Sequence, residues 1–311
     1  MVWMKIRVLN ILQWSMIIAI LSIAGMVLCL FLLVLPDPSV DFLSRKGNIT
    51  NIAVTKTWQE QDSRLSEITL TSDTGIYSEI TTRVPRRIST PLPVAVILGG
   101  HRTGRDAVHL VPEIPGVIIV ALSYPFREQA SGFFGKLSEL QQAVLDVTPS
   151  VLLALDYLFK QAYVDNNSVE LVGVSLGAFF VSPPAVLDTR VKRLWLIHGA
   201  GKPGDILAHQ AKDRFHLPPV QWAVGHSLAA LIRSHHLTPE RWIRQMSPRP
   251  VMVINARNDK AFPQSSIDAL HQSLQQPYEI MWTEGMHITP GRRDVIKQLT
   301  KLVFNRIAII Q

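Results

Sequence analysis

The sequence predicts an α/β domain with a mostly parallel central sheet and helices on both faces, preceded by one transmembrane helix. Three observations lead there. Past Pro93, short apolar runs alternate with segments of helical periodicity; the chain carries no charge from Val8 to Pro36; and one glycine-flanked serine joins an apolar run to an apolar segment. At 47% hydrophobic and 18% charged over 311 residues, the composition is that of a globular chain and not a disordered one.

The first element is Met16 to Leu35, which supplies roughly the 20 apolar residues that cross a hydrocarbon core. A cleaved signal peptide is the competing reading. The run is longer than a signal h-region, however, and LVLPDPSVDF after it offers no small-x-small cleavage site. Cys29 follows Leu28, where a lipobox carries a small residue, so it reads as one more apolar side chain. Lys5 and Arg7 before the helix are balanced by Arg45 and Lys46 after it, giving only a lean toward a cytoplasmic N-terminus. The remainder of the chain has no cysteine, which suits an exported domain. The expected organisation is therefore an anchor over 1–36, a linker over 37–48 and a domain over 49–311 on the outer side of the membrane.

The domain opens with NIAVTKTW and SEITLTS, an antiparallel pair by their β-branched content, followed by the loop PRRISTPLP. Six apolar runs then read as buried parallel strands: VAVILGG, GVIIVAL, VELVGVS, RLWLIHG, VMVINAR and YEIMWTE. Between and after them, residues 137–162, 265–276 and 292–307 carry apolar residues at helical spacing. The interval 202–247, rich in histidine and proline, breaks this rhythm and reads as an insertion that shapes the pocket or acts as a lid.

The net charge of +7 is spread over short basic pairs such as Arg86-Arg87 and Arg292-Arg293, without a basic run or an aromatic-interleaved patch. A solvated basic surface is expected, and no nucleic-acid partner. His216, His226 and His235-His236 lack metal-ligand spacing, so no metal is expected. Phe179, Phe180 and Trp222 read as packing aromatics.

Gly173-Val174-Ser175-Leu176-Gly177 sits directly after the strand VELV and before AFFVSPPAVL. That is the strand, sharp turn and helix in which a serine hydroxyl is presented to substrate, with glycines where strand and helix must approach. A serine hydroxyl needs a histidine base oriented by a carboxylate. Asp259 follows the strand VMVINA and His287 follows EIMWTE, each at a strand's C-terminal end.

The order Ser175, Asp259, His287, carried by VELVGVSLGAFF, SPRPVMVINARNDKAFP and TEGMHITPG, resembles the α/β-hydrolase superfamily. Within it the motifs look like the dienelactone hydrolase and prolyl-oligopeptidase-like branch, over about residues 90 to 305. Ala256 stands where relatives carry glycine ahead of the acid, and Asp205 is the fallback acid. The resemblance implies an oxyanion hole formed by the N–H of Leu176 and a second donor at His101 or Arg102, in the loop Leu98-Gly99-Gly100-His101-Arg102. It also implies an acyl-enzyme on Ser175 without cofactor, acting on a small-molecule or lipid-like ester. A peptidase or an acyltransferase would use the same residues, and a non-catalytic, membrane-anchored binding protein is the reading from another class.

Overall fold

The computed structural model describes residues 14–18, 20–23, 25–26, 41–100, 103–126 and 131–308. The chain divides into two compact units, Met1–Asp37 and Pro38–Gln311. In the first, the described residues of the expected transmembrane segment are helical, and the rest of that segment lies outside the described residues. Among the described residues no helix is long and apolar enough to cross a membrane.

The second unit is built on a nine-stranded sheet, counted among the described residues. Its antiparallel flank is Ile49–Glu60 (β1), Ser63–Ser72 (β2) and Tyr77–Pro85 (β3), with Val54 opposite Ile68 and Ile68 opposite Ile80. The parallel strands are Leu92–Leu98 (β4), Ile118–Leu122 (β5), Val164–Val174 (β6), Arg193–Ile197 (β7), Val251–Ala256 (β8) and Tyr278–Thr283 (β9). The order across the sheet is β1-β2-β3-β5-β4-β6-β7-β8-β9.

Helices cover both faces because the parallel strands are apolar on both. Along β4, Val94, Val96 and Leu98 join one core layer while Ala95 and Ile97 join the other. In chain order the helices are Phe42–Lys46 (α1), Ala107–Leu110 (α2), Gly132–Leu158 (α3), Gly177–Phe180 (α4), Ser182–Leu187 (α5), Pro203–Gln210 (α6), Pro218–Leu231 (α7), Pro239–Trp242 (α8), Gln264–Gln272 (α9) and Arg293–Ala308 (α10). The first layer holds α1, α3 and the elbow helices; the second holds α2 and α10.

Two sequence expectations change. The antiparallel flank has three strands where a pair was expected: β3 precedes the loop that begins at Pro85, and it joins the flank to the parallel sheet by pairing Ile80 with Leu122. The segment 37–48 is not a linker throughout. α1 lies within it, Phe42 is fully buried 6.4 Å from the Trp242 ring, and Arg45 and Lys46 pair with Asp146 and Asp156 of α3. The insertion 202–247 is helical and packed: a Cβ on Gly225 of α7 would lie 2.2 Å from the Ala208 nitrogen of α6, so the two helices touch backbone to backbone.

Candidate active site

The nucleophile elbow is dictated by close approach. Ser175 has φ +54°, a left-handed backbone that few non-glycine residues adopt, at the junction between β6 and α4. A Cβ on Gly177 would lie 1.9 Å from the Leu98 carbonyl oxygen, and one on Gly173 would lie 2.7 Å from the Ala178 Cα. Both positions therefore exclude any side chain. The turn is held by the Ser175 N–H, which donates to the Ile197 carbonyl at 2.8 Å.

Three strand ends converge here. Ser175 Oγ lies 2.7 Å from His287 Nε2, and His287 Nδ1 lies 2.7 Å from Asp259 Oδ2. The acid and histidine loops are joined to each other, since the Asn258 N–H donates to the Gly285 carbonyl at 3.0 Å. Asp259 is almost fully shielded, with a side chain 1% exposed, and its Oδ1 accepts the Ala261 N–H at 2.8 Å. Burial pushes its pKa up, but the hydrogen bond and charge of His287 together with the Ala261 N–H outweigh it, holding the carboxyl below its usual range.

Asp205 lies elsewhere. Its carboxylate is 3.3 Å from His226 Nε2 within the insertion, while His287 Nδ1 is engaged by Asp259. Ala256 is fully accommodated as the last residue of β8, and its backbone is not left-handed, so this position does not require glycine.

Leu176 is the N-cap of α4, so its N–H is one of the donors at the helix start without an intrahelical acceptor. His101 and Arg102, the expected second donors, lie outside the described residues. The glycines ahead of them are fixed against the elbow: the Tyr124 hydroxyl donates to the Gly99 carbonyl, and a Cβ on Gly100 would lie 3.9 Å from the Ser175 Cβ.

Two neighbours of His287 escaped sequence reading. The Phe262 ring stands edge-on to it at 4.9 Å, linking it to Phe179. His198, fully buried at the end of β7, lies 5.6 Å from the His287 ring and has φ +47°. Its Nδ1 accepts the Ile288 N–H at 2.9 Å, pinning the residue that follows His287. Burial, reinforced by the charge of His287, lowers its pKa to about 4, so it is neutral at physiological pH. The histidine that closes the strand run RLWLIHG was the available signal, but a lone histidine among ten does not announce it.

His198, Asp259 and His287 also present ligand atoms within 4.8 Å of one another. In this arrangement His287 Nδ1 and Asp259 Oδ2 are engaged with each other and His198 Nδ1 with a backbone N–H.

Ser175 and His287 open onto a cavity of 430 Å³ between the sheet and α10, walled by Ile97, Val172 and Ile197 on one side and by Leu299, Val303 and Phe304 on the other. Among the described residues, none from 202–247 lines it. The insertion packs into the other core layer through Leu237, Trp242 and Met246, and its Ile206 clusters with Phe262, whose ring stands against His287.

No family model matches the sequence, and no curated protein matches it. Solved structures do. An acetyl xylan esterase from Paenibacillus sp. R4 is 14% identical, with 86% of this chain and 94% of that one covered and a TM-score of 0.61. Acetyl xylan esterase 1 from Thermoanaerobacterium sp. JW/SL YS485 is 14% identical over 85% and 93%, with a TM-score of 0.59. An α/β hydrolase from Penicillium sp. sh18 is 14% identical over 77% and 96%, with a TM-score of 0.55. With the sheet order, the elbow and these likenesses together, the chain has the α/β-hydrolase fold.

Proposed function

We propose that this chain is a serine hydrolase that cleaves a carboxylic-ester bond through an acyl-enzyme on Ser175. The observation that carries the reading is the unbroken chain of two 2.7 Å contacts from Ser175 Oγ through His287 to Asp259. Two solved structures that share the fold are acetyl xylan esterases, which agrees with it.

In this mechanism His287 Nε2 takes the Ser175 proton as Oγ bonds to the carbonyl carbon, and the ionised Asp259 stabilises the resulting imidazolium. The Leu176 N–H faces the developing oxyanion. Collapse breaks the carbon–alkoxide bond, and the imidazolium returns its proton to the leaving oxygen. Water, deprotonated by the same histidine, then attacks the acyl-enzyme and frees Ser175 and the carboxylic acid. A fluorophosphonate probe is expected to label the wild-type chain at Ser175 and to leave Ser175→Ala unlabelled. Labelling that persists in the variant removes the nucleophile from this reading.

The proposal includes a retained N-terminal anchor with the domain on the outer face of the membrane. The uncharged stretch from Val8 to Pro36 supports it, as do the apolar side chains of Met16, Ile18 and Leu21, which are exposed in the described helix. Membrane fractions should hold the chain at its full 34.8 kDa, released by detergent but not by salt or alkali. Protease added to intact spheroplasts should digest the domain. A soluble form starting after Pro36 overturns the anchor, and protection until lysis reverses the orientation.

A further inference from the structure

We infer that the acyl group is a medium-length aliphatic chain, seated in the cavity that runs from Ser175 between the sheet and α10. The inference rests on the serine-hydrolase reading and specifies its substrate. At 430 Å³ the cavity has the size of a ligand pocket, whereas close-packed cores leave few voids larger than a water molecule. Its position also matters. Ser175, His287 and Gly100 line it together with the apolar wall, so the space begins at the carbonyl carbon that Ser175 would attack.

The wall chemistry selects the occupant. Strand residues Ile97, Val172 and Ile197 face Leu299, Val303 and Phe304 of α10, and among the described lining residues none is Asp, Glu, Lys or Arg. Thr103, one of the few hydroxyls present, has its Oγ1 engaged with the Gly100 carbonyl at 2.9 Å. A sugar or a peptide would bury polar groups here without partners, at a cost that an aliphatic chain avoids.

Depth sets the length. From Ser175 back to Val172 the strand covers about 10 Å, and from Ile296 to Phe304 the helix covers about 12 Å. An extended chain with bonds of about 1.52 Å and angles of about 111° advances about 1.25 Å per carbon, so about eight carbons fill the space. Each buried methylene should then raise kcat/KM about four-fold until the cavity is full.

The test uses the purified full chain with p-nitrophenyl esters from acetate to dodecanoate. kcat/KM should climb to about C8 and fall beyond about C10. Val303→Trp, which fills the cavity beside α10, should lower the octanoate-to-acetate ratio at least about ten-fold. Should that variant misfold, alkylboronic acids, which add to the serine oxygen of the wild-type protein, supply the second readout: inhibition should tighten about four-fold per methylene over the same range. Acetate turnover with a flat acyl series and flat boronate series overturns the acyl cavity and leaves the hydrolase standing. So does a gain confined to alkyl acetates, which would assign the cavity to the leaving group. Absence of both turnover and Ser175 labelling overturns the hydrolase reading itself.

Discussion

Replacing His198 with asparagine should make the fold less sensitive to acid. His198 is fully buried, and burial together with the nearby His287 lowers its pKa to about 4 from an unfolded value of 6.5. Below pH 6.5 the unfolded chain takes up a proton that the folded chain refuses until about pH 4, so stability is complete above that window and is lost as pH falls through it. The loss from this one group is ~2 kcal/mol at pH 5 and ~3 kcal/mol at pH 4. Asp259, whose pKa is depressed, contributes in a lower window: its stabilisation is present above the usual carboxylate range and disappears only as pH falls below it. Asparagine suits the site because its Oδ1 can accept the Ile288 N–H that Nδ1 now accepts at 2.9 Å, and because asparagine tolerates the φ of +47°. The smaller side chain lowers stability at every pH and cancels in the comparison. Urea unfolding of both proteins, followed by tryptophan fluorescence at pH 7 and pH 5, reads the difference directly. The wild type should lose ~2 kcal/mol more than His198→Asn between those two conditions. A parallel loss would refute the claim that the protein holds His198 neutral.

Three further substitutions bear on the site and on the domain boundary. Asp259→Asn should lower kcat by about 10³- to 10⁴-fold with thermal unfolding little changed, because the histidine loses its orienting carboxylate. Asp205→Asn, whose native carboxylate pairs with the half-buried His226, should leave turnover near wild type; the reverse pattern would make Asp205 the acid. Phe42→Ala should cost about 3–5 kcal/mol in denaturant titrations, since a fully buried ring is removed from against Trp242. A change below about 0.5 kcal/mol would return residues 37–48 to the status of a linker.

What was legible in the sequence was what is local. The elbow is encoded in five adjacent residues, because the clashes that exclude a side chain at Gly173 and Gly177 arise where strand and helix meet. Asp259 and His287 were legible for a related reason: each follows a continuous apolar run, and the C-terminal ends of parallel strands lie along one edge of the sheet. β3 was not legible because Ser78, Thr81, Thr82 and Arg83 are buried, and polar residues break the pattern that announces a buried strand. Their burial is tolerated through distant contacts, such as the bond from Arg83 Nη1 to the Val111 carbonyl at 2.6 Å. α1 has only five residues, too few for a period to appear, and its partners lie about a hundred residues or more away in α3 and α8.

The cavity stands at the far end of this scale. Leu299, Val303 and Phe304 recur at helical spacing and read as an ordinary core-facing stripe, and all three do belong to the second core layer. Whether such a stripe meets its sheet or stops short of it depends on where α10 is held. Its start follows the His287 loop within a few residues, and the Ile288 N–H at the head of that connection is bound by His198 from β7. The contact that steadies the histidine loop is thus close in sequence to the entry of the helix that walls the cavity. Substitutions at His198 that abolish the acceptor, such as His198→Leu, should therefore disturb acyl-chain selectivity as well as turnover, whereas His198→Asn should preserve both. Chain-length profiles of the two variants measured side by side separate this coupling from a simple loss of stability, which would lower all esters alike.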